Sequence, residues 1–250
     1  RAYFLASGLT PTEGDVWSAR PEVLLYAGSM FHSALEETLH SWSQREGVDL
    51  TRVYNGCGIL VSQMESGGSP DVFFSCDASF LDEVQERFDP RVLLSNNPLV
   101  LICAPKNPLQ LKGLADLARP GLRVGLAHPK QSALGRLTQA QLEKENLAAP
   151  FAASGNLKQD APQGDFLVNA LLTGALDAAV VYASNAALAG DKLSSVALTP
   201  NAIAEQLFAV RRNNTQGYLL QRMFDAATSD ASKEQFSKLG FEWRVGEGPR

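Results

Sequence analysis

Apolar residues run unbroken from Val23 to Tyr26, the pattern of a strand covered on both faces. Ala27-Gly28-Ser29 follows as a small-residue turn, and Met30, Phe31, Ala34, Leu35, Leu39 and Trp42 then recur on one helical face. Ser29 stands where an N-cap belongs, and Gly47 closes the helix as a C-cap glycine would. The device then recurs. Val48 to Tyr54 reads as a second strand, Asn55-Gly56-Cys57-Gly58 as its turn, and Ile59, Leu60, Val61 and Met64 as the next helix. Asp71 to Ser75 is a third strand, with Asp77 as N-cap of a helix carrying Phe80, Leu81 and Val84.

Leu93 to Cys103 contains a further buried strand, and Ala104-Pro105-Lys106-Asn107-Pro108 reads as a break and natural hinge. Leu111 to Leu117 reads as a short helix and Leu122 to Leu126 as a strand. A loop from His128 to Gly135 then enters a helix with a serine, Ser132, at the turn. Phe151 to Asn156 is expected as a weak strand. Gln163-Gly164-Asp165 opens a helix that Gly174 closes, and Asp177 to Tyr182 is a buried strand. Val196 to Leu198 and Gln206 to Val210 read as strands, Tyr218 to Ala227 and Ala231 to Leu239 as helices. Strands alternate with helices throughout, the signature of an α/β fold with parallel sheets. In such sheets ligands bind beyond the carboxyl ends of the strands, where helix starts present free N–H groups and a positive dipole end. The polar turns noted above lie at such ends.

Composition adds bounds. The 250 residues suffice for one large or two modest domains, and the first twenty read as a lead-in or linker from an anchor or a removed targeting segment. No apolar run approaches membrane-spanning length. The net charge is −5 with no basic block, which argues against a nucleic-acid partner. It does not argue against a small anion, which responds to local N–H groups. The three cysteines, Cys57, Cys76 and Cys103, show no C-x-x-C spacing, and their odd number implies neither a disulfide framework nor a zinc knuckle. Cys76 and Cys103 read as core, Cys76 at the edge of the strand ends where α/β sheets bind ligands; Asp77 and Asp177 read as caps or turn residues.

Taken in order, Tyr26-Ala-Gly-Ser29, Asn55-Gly-Cys-Gly-Ile-Leu60, Pro70-Asp-Val-Phe-Phe-Ser-Cys-Asp77, Asn96-Asn-Pro-Leu-Val-Leu101, Pro105-Lys-Asn-Pro108, Thr173 to Ala183 and Phe236 to Phe241 resemble the molybdate/tungstate-binding proteins of ABC importers, over about Pro21 to Trp243. The resemblance implies a two-lobed, type II periplasmic-binding-protein fold. Each lobe would be a mostly parallel sheet flanked by helices, and two crossing strands would join them: residues 21–98 and 206–245 as lobe 1, residues 99–205 as lobe 2. It implies a tetrahedral oxyanion, molybdate or tungstate, held in the interlobe cleft by uncharged hydroxyl and N–H donors, with hinge closure around it. By the same resemblance Ser29 is the first-lobe serine ligand and Tyr182 the second-lobe tyrosine. Ser132, Ala133 and Leu134 form one N–H-presenting turn and Gly164 to Phe166 the other. No cofactor and no catalysis are implied. The partner is a membrane permease, and the protein is expected to be a periplasmic or extracellular monomer, anchored if at all through its N-terminus.

Two residues depart from the family pattern. Cys57 stands where serine is usual, and a thiol is a poorer donor. Asp165 brings a carboxylate to a turn that presents N–H to an anion, which is repulsive unless it is protonated or turned away. They leave open a different anion, or a soft metal on Cys57, His32 and Cys76 or His128, although no pair has a recognised metal spacing. They also leave open an enzyme with Cys57 as nucleophile and His32 as base, for which no third orienting residue can be named.

Overall fold

The computed structural model describes residues 20–246, so all but the last residue of the expected lead-in lies outside the described residues. The chain begins with β1 (Glu22–Gly28), a 3-10 turn at Ser29–Phe31 and α1 (His32–Glu46). Next come β2 (Asp49–Asn55), α2 (Cys57–Glu65), β3 (Val72–Ser75), α3 (Ala78–Asp82) and the long β4 (Phe88–Cys103). After a 3-10 turn at Leu114–Ala118 follow β5 (Val124–Ala127), α4 (Ala133–Lys144), α5 (Ala148–Ser154), β6 (Leu157–Ala161), α6 (Gly164–Leu172), β7 (Ala178–Tyr182), α7 (Ala183–Ala189) and β8 (Ser194–Ala197). The chain ends with β9 (Ile203–Arg211), α8 (Gly217–Ala227), α9 (Asp230–Lys238) and β10 (Glu242–Trp243). This is the α/β alternation that the apolar pattern predicts.

The chain divides into two compact units. It leaves the first after Ser95, inside β4, and returns at Glu205, inside β9; residues 238–241 group with the second unit. The break at 104–108 therefore lies within the second unit, where Asn107 closes it with two hydrogen bonds to the Leu111 backbone, at 2.8 and 2.9 Å.

In the first unit β1 lies between β2 and β3, parallel to both, and β9 runs antiparallel to β3. Its core is a run of aromatic rings. Phe74 meets Phe31 at 5.7 Å and Phe208 at 5.0 Å between centroids, Phe208 meets Phe224 at 5.2 Å, and Phe236 meets Trp243 at 5.4 Å. These are the separations at which tilted and edge-on rings attract. Gly47, at φ 65°, ends α1 in the left-handed conformation that favours glycine.

In the second unit β5 is parallel to β6 and β7, and β4 pairs antiparallel with β7 and β8. β7 is buried along its whole length, as its uninterrupted apolar sequence requires. Asp177, just before it, accepts from the Arg123 backbone N–H at 2.8 Å and from the Arg123 guanidinium at 2.6 and 3.1 Å. Those hydrogen bonds hold its carboxyl below the usual carboxylate range, against a smaller opposing effect of burial.

Two local expectations are corrected. Residues 151–156 do not form a strand: Ala148–Ser154 is helical, with Phe151 buried. Alanine is the strongest helix former, and Pro150 sits in the first turn, where its missing N–H costs no helical bond. The helix expected over 111–117 is a single 3-10 stretch over Leu114–Ala118.

Phe74→Ala is expected to cost about 3–5 kcal/mol, measured by urea denaturation, because it leaves a cavity among rings that cannot collapse together. The Asp177–Arg123 contribution should be acid-sensitive. A depressed folded value means that the stabilisation is present above the ordinary carboxylate value of about 4 and is lost as the pH falls through the lower folded one. The stability gap between wild type and Asp177→Asn should therefore close on acidification.

Candidate functional site

Ser29 is not an N-cap. Gly28 takes that position and Ser29 is the first residue of the 3-10 turn, with no side-chain cap bond at the junction. Its half-buried hydroxyl is thereby left for another role. Close by, Gln206 Nε2 donates to Met30 Sδ at 3.5 Å, and Gln206 Oε1 accepts from Ser95 Oγ at 2.5 Å.

At the next junction Gly56 is the N-cap of α2, again without a side-chain cap. The first helical bonds run to the Gly56 carbonyl from Ile59 and Leu60, so neither includes the Cys57 or Gly58 N–H. Cys57 is fully buried and carries no thiol: it is bonded to Cys76, with Cα atoms 6.2 Å apart. The expectation of no disulfide is overturned, because the fold brings the exits of β2 and β3 to either side of β1. The odd cysteine is Cys103, free and buried, its thiol pushed up by burial.

That bond removes the thiol on which three readings of Cys57 relied: hydrogen-bond donor, soft-metal ligand and nucleophile. Cys76, read as core, is the bonded partner. His32 is exposed and packs edge-on against Tyr54 at 4.9 Å, and no group of His, Cys, Asp and Glu suited to a metal occurs among the described residues. At the third junction Asp77 is a structural cap, as expected. Its Oδ1 accepts from the Ser79 N–H at 3.0 Å and its Oδ2 from the Glu205 N–H at 3.2 Å.

In the second unit three helices start close together. Ser132 is the N-cap of α4 but makes no cap bond, and Gln163 opens α6 without one. Tyr182, 4% exposed, opens α7, and its N–H donates to Asn185 Oδ1 at 3.3 Å. A Cβ on Gly164 would fall 2.6 Å from Asn185 Oδ1 and 3.3 Å from Leu134 Cδ2, so the start of α6 touches residues of both other helices. The Ser132–Leu134, Gly164–Asp165 and Tyr182 segments thus lie together. Asn185 joins these segments without being marked by any pattern in the sequence; an Asn three residues past the end of a buried strand is its one local signal.

Asp165 is turned away from the turn. Its Oδ1 accepts from Asn185 Nδ2 at 2.7 Å, and with Leu172, Leu188 and Lys192 it lines a groove between α6 and α7. A larger cavity of about 550 Å³, between α1 and the α8–α9 pair, is lined by Trp42, Arg222 and Gln235 among others and includes none of the predicted site residues.

Each unit by itself presents donors of one chemical kind. Ser29, Ser132 and Tyr182 offer hydroxyls, and the starts of α2, α4 and α6 offer backbone N–H groups beside positive dipole ends. All of these donors are uncharged. They suit an anion stripped of water better than any cation or nucleophilic chemistry.

Comparison with known proteins bears on this reading. Residues 23–242 match the family model described as bacterial extracellular solute-binding protein. The molybdate-binding protein ModA of Mycobacterium tuberculosis is 25% identical over 240 residues, 92% of this chain and 86% of that protein. Among solved structures, the periplasmic molybdate-binding protein of Azotobacter vinelandii superposes with a TM-score of 0.74 at 16% identity, covering 88% of this chain and 98% of that one. The sulfate-binding protein SubI of M. tuberculosis also gives 0.74, at 15% identity and 91% and 88% coverage.

Thiol titration of the unfolded, unreduced protein should find one reactive group, from Cys103, and three after reduction. Closing a loop of this length is worth about 3 kcal/mol, so Cys57→Ala/Cys76→Ala should lose stability of that order in denaturant. Gly164→Ala should cost about 1–3 kcal/mol in the same assay, because the added methyl meets Asn185.

Proposed function

The chain belongs to the bacterial extracellular solute-binding protein family, and on that premise we propose that it captures a tetrahedral oxyanion, molybdate or tungstate, and delivers it to the membrane permease of an ABC importer. It is a binding protein and not an enzyme. The observation that carries the ligand class is the recurrence of helix starts without side-chain caps, beside the Ser29 hydroxyl in the first unit and the Ser132 hydroxyl in the second, with no cationic side chain among the predicted ligands. The Ser29 hydroxyl and Cys57 N–H serve from the first unit; Ser132 to Leu134, Gly164 to Phe166 and Tyr182 serve from the second. Asp165 does not oppose the anion, since its carboxylate is held by Asn185.

Uncharged donors suit a fully deprotonated dianion. Each charge-assisted hydrogen bond contributes about 1.5–3 kcal/mol net, and none has to accept a proton from the ligand. A second reading, a different oxyanion such as sulfate, has one observation in its favour: the disulfide at Cys57 removes a side-chain donor that the molybdate-binding pattern supplies.

Calorimetric titration against molybdate, tungstate, sulfate and phosphate separates the two. The expected result is tight binding of molybdate and tungstate only, with Ser29→Ala and Tyr182→Phe each weakening it about 10–100-fold while the melting temperature of the free protein holds. Binding of sulfate alone moves the assignment to the second reading. Unchanged affinity in both variants removes the proposed site.

A further inference from the structure

Three strands end side by side at the carboxyl edge of the first unit, with β1 in the middle. Gly28, the last residue of β1, is in register with Asn55 at the end of β2, and Ala27 with Phe74 of β3. The Cys57–Cys76 bridge joins the residue that opens α2, just past β2, to the residue just past β3. It therefore crosses the exit of the central strand, and it does so in contact. A Cβ on residue 28 would stand 2.3 Å from Cys76 Sγ and 3.3 Å from Cys57 Sγ, so only glycine fits beneath it. The Cys76 N–H points at Cys57 Sγ from 3.0 Å, and both cysteines are buried.

We propose that this disulfide is a positioning element of the anion half-site. By tying the two outer strand exits over Gly28 it fixes where the Ser29 hydroxyl and the Cys57 N–H stand, and ligand affinity depends on it. The inference rests on the proposed roles of Ser29 and Cys57 toward an oxyanion. A serine at 57 would supply one more donor; the bridge supplies none and holds its neighbours in place. In the reduced protein the two sulfur atoms must move apart to van der Waals contact, and in a double alanine variant both sulfurs are gone and nothing ties the two strand exits. Gly28 blocks the inward direction, so the displacement falls on the start of α2 or on the turn after β3. Donors that are already fixed need not be ordered when the ligand arrives, and a site that loses that order binds more weakly. A bridge that served stability alone would shift the melting temperature and leave the affinity of the folded protein unchanged.

The test compares the full wild-type chain with Cys57→Ala/Cys76→Ala. Molybdate, tungstate, sulfate and phosphate are titrated calorimetrically, and hydrogen exchange is followed in the free protein over residues 28–31 and 57–60. The expected result is a folded variant whose affinity falls at least about tenfold, the loss usual when a group that orients a ligand donor is removed. Exchange in both segments should be faster. Wild-type affinity in the variant, or unchanged exchange in both segments, overturns the proposal. If wild type binds none of the four anions, the oxyanion reading falls, and the exchange comparison still decides whether the bridge fixes these turns. Should the double variant fail to fold, the same measurements are made on native wild type reduced with dithiothreitol. There two thiols replace the disulfide and the reductant leaves as its cyclic disulfide.

Discussion

A strand that hands its chain directly to a helix leaves backbone N–H groups without a helical partner at the sheet's carboxyl edge. Most proteins spend a Ser, Thr, Asp or Asn side chain to satisfy them. Here that is done at α3, where Asp77 caps the helix and also anchors the Glu205 backbone. It is not done at the Ser29 turn or at α2, α4 and α6. Buried N–H groups demand a partner, and a dehydrated oxyanion, with its full shell of acceptors, is a partner that several helix starts can share.

Neutral donors impose a requirement of their own. With no Lys or Arg among the proposed ligands, the proposed capture of an anion depends on placement, because hydrogen-bond energy falls steeply with misalignment. Each unit meets this with a tie. In the second, Asn185 takes the Tyr182 N–H on its oxygen, gives its amide to Asp165, and fills the space where Gly164 would carry a side chain. In the first, a disulfide crosses Gly28. Both ties rely on a glycine whose missing Cβ admits them, a use of glycine for close approach.

Behind these edges the two cores make the placement rigid. The ring-to-ring chain from Phe31 through Phe74 and Phe208 to Phe224 stands behind the first unit's turns. The buried β7 delivers Tyr182, and the Arg123–Asp177 bonds fix its entry. Neither cysteine of the bridge remains available for metal or nucleophilic chemistry, and the donors that remain suit binding.

The sequence by itself determined the α/β alternation, the glycine turns and the order of the candidate site residues, because apolar periodicity and turn chemistry are local properties. Asp77 was legible as a cap and Gly47 as a helix stop for the same reason. It misread 151–156, Phe-Ala-Ala-Ser-Gly-Asn, where Phe151 is the one β-favouring residue and the alanines together with the burial of Phe151 settle the helix. It took Ser29 for a cap, since which backbone atom a hydroxyl meets depends on the angle at which a strand enters its turn. It could not pair Cys57 with Cys76, because an odd count hides a bond that exists only once β2 and β3 flank β1. Nor could it tell which way Asp165 faces. Asn185 lies 20 residues away, and only the packing of α6 against α7 brings the two side chains within 2.7 Å. Local patterning wrote the elements and their polar turns; the tertiary structure decided which side chains those polar turns are tied to.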